Sequence, residues 1–154
     1  MPKKKKVYQK RVFESDGRSN DISSNLYFSM LTHPAYKDLS PKQQQLYTYC
    51  KLQYYAQSGR RAVDQADNSK FYFNRSLWQD IYCLYSKSNQ SSFYKDMAKL
   101  IENGFIKCIE SGKTTRTKSI YQFSNMWQKW NTEEFKILPC EMNSRLLKSL
   151  SKVK

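Results

Sequence analysis

The sequence has few of the residues from which catalytic and metal sites are built. It contains one histidine, His33, and four glycines among 154 residues. DNA-nicking enzymes with a tyrosine nucleophile typically hold a metal with paired histidines, and phosphate-binding loops need clustered glycines, so the composition supports neither class. His33 precedes Pro34 in an apolar segment, where we expect a structural role. Asp64, Asp67 and Asp80 show no paired metal-ligand spacing. We therefore predict that the protein is not an enzyme and has no catalytic residue, cofactor or metal.

Long apolar runs and paired cysteines are also missing. No stretch reaches the length of a membrane span, and the basic N-terminus lacks the apolar region of a signal peptide. The cysteines Cys50, Cys83, Cys108 and Cys140 lie far apart, whereas zinc sites usually contain two close pairs of ligands. We expect reduced thiols that are mostly small apolar fillers, a cytoplasmic location and no membrane insertion.

Acidic residues are few compared with basic ones. Lysine and arginine total 27 against 13 acids, which gives a formal net charge of +14. Such a charge attracts polyanions, of which nucleic acid is the commonest that a soluble protein meets. Aromatic residues make up 15% of the chain, and disordered chains are poor in them. The composition therefore predicts a folded, nucleic-acid-binding protein with an aromatic core.

Residues 1–20 are predicted to be a basic flexible arm. The segment from Pro2 to Val7 contains a lysine run, Lys10 and Arg11 follow, and the first acid is Glu14. The run has the composition of a nuclear import signal, but we favour an arm that holds DNA phosphates.

Residues 132–154 are predicted to be a C-terminal tail or short helix. Its apolar positions follow Pro139 at helical spacing and are Met142, Leu146, Leu150 and Val153. Two alternatives stay open, because such a helix packs back on the domain or pairs with a second subunit of a homodimer.

The first half of the central region contains a docking segment, a long helix and a strand. Ile22–Leu39 is expected to dock on the domain through its apolar residues. Ser40 and Pro41 predict a helix start, since serine caps helix N-termini and proline fits the first turn. This helix is expected to end near Gln57. Phe71–Phe73 predicts a short strand.

Two helices and a hairpin are predicted to follow. Asn74 is expected to cap the second helix, whose apolar residues recur at helical spacing at Leu77, Ile81 and Leu84. The third is predicted from Ser88 to Asn103, and Gly104 ends it. Its apolar face comprises Phe93, Met97, Leu100 and Ile101. Phe105–Glu110 and Ser119–Ser124 predict a hairpin, after which Trp127 and Trp130 are expected to close the core.

This element order predicts a mainly α fold with a small antiparallel β-hairpin, a winged helix-turn-helix. The stretch Phe71–Trp127, with Ser92–Ile106 at its centre, resembles winged helix-turn-helix DNA-binding proteins of Gram-positive plasmids and other mobile elements. That group includes replication-initiator-like and conjugation accessory proteins. The resemblance implies a winged-helix domain over residues 21–131 and a sequence-specific double-stranded DNA-binding protein in replication, conjugation or transcription regulation. Other mobile-element proteins are expected partners.

The predicted DNA contacts lie on the third helix and on the hairpin tip. A recognition helix buries one face and offers hydrogen-bond donors on the other, because the major groove admits one helix. On the third helix the predicted contacts are Ser88, Asn89, Ser91, Ser92, Tyr94, Lys95 and Lys99. Glu102 lies at the far end, away from the expected DNA. The tip suits phosphates and a minor groove and contains Lys113, Thr114, Thr115, Arg116, Thr117 and Lys118.

Two other functions stay open at this point. An RNA- or single-strand-binding protein would use the aromatic residues for stacking. A protein–protein adaptor in a replication or transfer complex would dock through the C-terminal segment and bind DNA only nonspecifically.

Overall fold

The computed structural model of the chain describes residues 11–18, 21–58, 70–74, 76–112 and 118–137. The predicted basic arm before Arg11, the tail after Ile137 and five residues of the predicted hairpin tip, 113–117, lie outside these ranges, as do Asp64, Asp67 and Cys140.

Within the described ranges, helices precede and separate the strands of one small sheet. The α-helices are α1 (Phe28–Leu31), α2 (Pro34–Lys37), α3 (Pro41–Ser58) and α4 (Gln90–Glu102). The strands are β1 (Lys70–Tyr72), β2 (Ile106–Glu110) and β3 (Ile120–Phe123). A π-helical turn spans Leu77–Ile81, and 3₁₀ turns span Lys87–Asn89 and Met126–Lys129.

The predicted hairpin and the predicted short strand join in one antiparallel sheet with the order β1-β3-β2. Phe71 and Cys108 lie on either side of Tyr121, and this row belongs to the inner face. A register shift between Cys108 and Glu110 interrupts the β2–β3 ladder. The fold is therefore mixed α/β, with helices and a three-stranded antiparallel sheet.

Helix α3 begins at the predicted residues. The Gln43 backbone N–H donates to Ser40 Oγ (3.3 Å), and the Ser40 backbone N–H donates to Gln43 Oε1 (2.9 Å). This reciprocal capping box satisfies two backbone donors that the helix start would otherwise leave unpaired. Leu46 and Cys50 are buried on the inner side, so the filler role expected of Cys50 is confirmed.

The predicted second helix is wrong in length and in the face that it buries. The helical turn Leu77–Ile81 is short. Cys83 follows it in the left-handed region at φ 50°, and a right-handed helix of L-residues cannot continue through that conformation. The wider spacing of a π-turn rotates side chains relative to an α-helix, and Ile81 is 67% exposed. Trp78 is buried instead and stacks on Phe93 at 4.8 Å. Cys83, expected to be a filler, is exposed.

The segment before α3 docks in part. The side chains of Met30, Ala35, Tyr36 and Leu39 are buried. Other apolar residues in it that were expected to dock are exposed instead: Ile22, Leu26, Tyr27, Phe28 and Leu31.

His33 has a structural role, as expected. Its Nδ1 accepts from the Ala35 backbone N–H (3.2 Å), which caps α2, and its ring packs edge-on against Trp127.

The core is aromatic and closes over the end of α4. Phe93, Met97 and Leu100 are buried on the predicted apolar face. Gly104 adopts φ +79°, and a Cβ there would lie 2.6 Å from Trp127 N, so the left-handed turn and the close approach both require glycine. Trp127 stacks on Phe105 at 5.7 Å, which agrees with its predicted place over the core.

Candidate nucleic-acid interface

Helix α4 has two polar stripes. Because residues three or four apart share a helix face, Ser91, Lys95, Ala98 and Glu102 form one line, which we call the exposed stripe, since all four are exposed. The second line, the bonded stripe, is half-buried or buried and consists of Ser92, Asp96, Lys99 and Asn103. Four predicted DNA-contacting residues of α4 divide between the two stripes, and Tyr94 lies in neither.

The bonded stripe begins where the chain enters α4. Ser92 Oγ donates to Asn89 Oδ1 at 2.5 Å, and Asn89 is the residue that precedes the helix. Both side chains were predicted to contact DNA, and here they hold each other.

Asp96, in the middle of the bonded stripe, joins α4 to two other parts of the chain. Its Oδ1 accepts from Gln43 Nε2 of α3 (2.8 Å), and its Oδ2 accepts from the Tyr85 hydroxyl (2.5 Å). Burial and, after it, the Asp96 carboxylate raise the pKa of Tyr85 far above its ordinary value. Lys42 Nζ lies 4.2 Å from the centroid of the Tyr85 ring. The tyrosine is therefore kept neutral as a donor to Asp96.

The C-terminal end of the stripe is tied to α2. Lys99 Nζ lies 2.8 Å from Asp38 Oδ2, the residue that follows α2. The buried Asn103 side chain donates to the Ala35 carbonyl (2.9 Å) and to Asp38 Oδ2 (3.0 Å). The hydrogen bonds that Lys99 and Asn103 donate hold the pKa of the Asp38 carboxyl below its ordinary value. The structure therefore places the Lys99 charge in an internal ion pair, away from the exposed stripe.

The other predicted contacts lie outside, toward the N-terminal end of α4. Ser91 and Lys95 are exposed, Tyr94 is 50% exposed, and Ser88 is exposed with its Oγ 3.1 Å from Ser86 Oγ. The first turn of α4 contains no acid, and the N-terminal end of a helix dipole favours a negative ligand. Glu102 is exposed at the opposite end. This end of α4 thus offers hydroxyl donors and one cation to an anionic partner.

Of the three cations in the predicted hairpin tip, Lys118 lies within the described residues. Gly112 N–H donates to Ser119 Oγ (3.2 Å), which closes the base of the connection between β2 and β3. Lys118 is exposed, and its Nζ lies 4.5 Å from the centroid of the Tyr72 ring. This distance is within the range of a cation–π contact. Lys118 therefore lies over the outer side of the sheet, at the base of the predicted wing.

Sequence reasoning did not find Asp96, Gln43 or Tyr85 as functional candidates. One signal was available for part of the cluster, because glutamine three residues after a serine N-cap is the pattern of a capping box. The bond from Gln43 to Asp96 spans 53 positions, and no local pattern marks it.

Two features that bear on other functions are absent from the described residues. None of the helices there has the length and apolar character that a membrane span needs. No three histidine, cysteine, aspartate or glutamate side chains in the same ranges are grouped as metal ligands.

Comparisons with protein-family models, with curated proteins and with solved structures find no match to this chain. The resemblance to winged-helix proteins of mobile elements therefore stays a prediction. The observations that bear on function are the charge of the chain, the exposure of its side chains and the geometry of α4.

Proposed function

We propose that this chain is a sequence-specific double-stranded DNA-binding protein built as a winged helix-turn-helix. The element order supports the proposal, since α3, β1, a short helical turn, α4 and the β2–β3 hairpin follow one another as in that architecture. In the sheet order β1-β3-β2, the second hairpin strand, β3, is central and pairs on both sides. The wing would thus be anchored to β1 through β3. Because the stretch Phe71–Trp127 resembles winged-helix proteins of mobile elements, we propose a role in replication, conjugation or transcription control of such an element.

The observation on which the proposal chiefly depends is the exposed stripe. Among the described residues, the Ser91 and Lys95 side chains make no hydrogen bond or ion pair, whereas every member of the bonded stripe makes one. In a major groove, base edges and phosphates accept hydrogen bonds. Hydroxyl and ammonium groups on an outward helix face can donate these bonds. Asp96, an acid in the same half of the helix, is turned inward to Gln43 and Tyr85.

The charge of the chain supplies the second part of the argument. A net charge of +14 supports binding to the phosphate backbone, whatever the base sequence. Lys118 lies at the wing base, and the sequence places Lys113 and Arg116 in the tip. We assign these three cations to phosphate contacts and the exposed stripe to base contacts.

The experiment is a set of binding titrations with three DNA probes. A duplex is selected from a random-sequence pool with the purified protein, and the other probes are its scrambled duplex and one strand of the selected duplex. We expect the selected duplex to bind about 1,000-fold or more tightly than the scrambled one. Binding to both duplexes should weaken steeply with salt, with a log–log slope of about one unit per phosphate contact. Equal affinity for the two duplexes, or preference for the single strand, would contradict the proposal.

A second candidate function, a protein–protein adaptor, is favoured by the apolar surface before α3. Phe28 is 81% exposed and Tyr27 is 64% exposed, and Leu26 lies beside them. Contiguous exposed apolar residues mark protein contacts more often than solvated surface. Under this function, Phe28→Ser would abolish association with a partner, or self-association in sedimentation, and would leave both duplex affinities unchanged.

A further inference from the structure

Asp96 is the member of the bonded stripe that connects α4 to two separate segments through one carboxylate. Gln43, in the first turn of α3, donates to one oxygen, and Tyr85, in the turn that leads to α4, donates to the other. The Tyr85 ring is itself fixed, because it is buried and packs edge-on against Trp78 and Phe93. Tyr85 is therefore held in place by contacts other than its bond to Asp96.

Both ends of the Gln43 amide make hydrogen bonds. Its Oε1 accepts from the Ser40 backbone N–H (2.9 Å), so the same side chain caps α3 and donates through Nε2 to Asp96. The cap thus fixes the amide plane, and one of the two Nε2 N–H groups donates in that plane to Asp96. The start of α3 thereby sets where the Asp96 carboxylate lies.

The position of that carboxylate constrains the rotation of α4 about its own axis, at a point nearer to Ser91 and Lys95 in the chain than the ties of Lys99 and Asn103 to Asp38. Side-chain ends lie about 5–6 Å from a helix axis, so a rotation of about 20° moves them by about 2 Å. A hydrogen bond tolerates only about 0.5 Å of change in distance. The apolar face of Phe93, Met97 and Leu100 resists such a rotation less sharply, since apolar contacts are non-directional.

We propose that Asp96 is the positioning residue of the DNA-reading helix: its bonds to Gln43 and Tyr85 set the rotation of α4 and so decide which base edges Ser91 and Lys95 meet. The inference rests on the proposed function. It adds that base discrimination depends on a carboxylate that never touches DNA. A residue with only a structural role would alter stability and leave the discrimination by the folded protein unchanged.

An exchange of the amide and the carboxylate tests the bond. In Asp96→Asn, one acceptor oxygen is replaced by a donor nitrogen, so either the bond from Gln43 is lost or the bond with Tyr85 reverses its direction. In Gln43→Glu, two carboxylates face each other. In the double variant Gln43→Glu/Asp96→Asn, the new amide donates to the new carboxylate, and the net charge equals that of the wild type. The cap of α3 is retained, because glutamate also completes a capping box.

The matched control is Glu102→Gln, which makes the same chemical change in the same helix on the exposed stripe. The readout is the ratio of the dissociation constants for the scrambled and the selected duplex, measured on protein shown to be folded by circular dichroism. We expect Asp96→Asn to lower this ratio by about 10-fold, which is the loss of one base contact. Glu102→Gln should leave the ratio within about twofold of the wild type, and the double variant should recover most of the loss.

The outcomes distinguish failure of the positioning role of Asp96 from failure of the proposed function. If Asp96→Asn keeps the ratio of Glu102→Gln, or if the folded double variant shows no recovery, Asp96 is not a positioning residue. If the wild type itself shows no preference among duplexes, the proposed function fails and this inference fails with it. If Asp96→Asn does not fold, Tyr85→Phe replaces it, since it removes one bond to the carboxylate and no charge. A Tyr85→Phe ratio equal to that of the wild type would then overturn the proposal, whereas a loss of about threefold would support it.

Discussion

The two polar stripes of α4 are nearly alike in composition and differ in their surroundings. Each contains one serine, one lysine and one acid. In the bonded stripe these groups are held by Asn89, Gln43, Tyr85 and Asp38, whereas in the exposed stripe Ser91 and Lys95 face outward. The difference shows that residue type does not separate groups that hold the fold from groups that stay exposed. The groups on neighbouring elements decide it.

The largest expected effect comes from placing a carboxylate in each stripe. Asn103→Asp would put an unpaired charge beside Asp38 and the Ala35 carbonyl at a position that is 1% exposed. We expect it to lower the free energy of unfolding by about 3–5 kcal/mol. Ser91→Asp adds the same group to the exposed stripe and should change it by no more than about 0.5 kcal/mol. Urea denaturation measures both, and equal losses would show that the stripes do not differ.

The two lysines should differ in DNA binding. Lys95→Ala is expected to weaken binding to the selected duplex by about 1–3 kcal/mol, or roughly 5- to 150-fold, with a smaller loss on the scrambled duplex. Lys99→Ala should leave the discrimination between duplexes unchanged, because its ammonium pairs with Asp38. Titration of each variant with both duplexes measures this. Equal losses on the two duplexes for Lys95→Ala would make it a phosphate contact, and a larger loss for Lys99→Ala would reverse the assignment.

A smaller effect should appear in the pH dependence of stability. The donors Lys99 and Asn103 hold the pKa of Asp38 below its ordinary value of 3.8. A lowered pKa in the folded state contributes stability above the unfolded value, and that contribution is lost as pH falls through the folded value. Lys99→Ala should therefore be less stable than the wild type at pH 7, by less than about 1 kcal/mol because the pair is partly exposed. The difference should shrink as pH falls below 3.8.

Urea midpoints from neutral to acidic pH check this expectation. The control is Lys95→Ala on the exposed stripe, whose stability relative to the wild type should not follow the titration of Asp38. A Lys99→Ala deficit that persists unchanged at low pH would show that the Asp38 pair does not cause it.

The smallest effect concerns adjacent serines. Ser92→Ala removes the bond to Asn89 and should have a free energy of unfolding about 0.5 kcal/mol lower than that of Ser91→Ala, since both gain the same helix propensity and a neutral hydrogen bond near the surface contributes little. Ser91→Ala should raise it slightly or leave it unchanged, because alanine has the higher helix propensity. Thermal denaturation of the pair distinguishes them. A greater loss for Ser91→Ala would contradict the division into stripes.

Much of the fold could be predicted from the sequence because its signals are local. Ser40 and Pro41 mark the start of α3, and the periodicity of Phe93, Met97 and Leu100 defines the inner face of α4. The prediction of the second helix is wrong because two features determine the structure of that region, and the spacing of apolar residues predicts neither. Cys83 takes a left-handed conformation, and Trp78 packs on a distant phenylalanine.

The candidate site could be predicted only in part, for a similar reason. Periodicity places Ser91, Ser92, Lys95 and Lys99 outside the apolar face, but it treats them alike. Ser92 bonds to Asn89, three positions away, but Lys99 pairs with Asp38, which lies 61 positions earlier in the chain. A lone sequence offers no rule that pairs such residues, and only the packing of α2 and α3 against α4 brings them together.

The most direct test of DNA reading by the exposed stripe compares Ser91 with Ser92. A photoreactive benzoylphenylalanine is introduced at each position in turn, and the folded variants are irradiated with the selected duplex. The side chain at position 91 points outward and that at position 92 toward Asn89, so we expect a covalent adduct with DNA bases from position 91 and little or none from position 92. An adduct mainly from position 92, or none from either while the duplex stays bound, would contradict the claim that this face of α4 reads DNA.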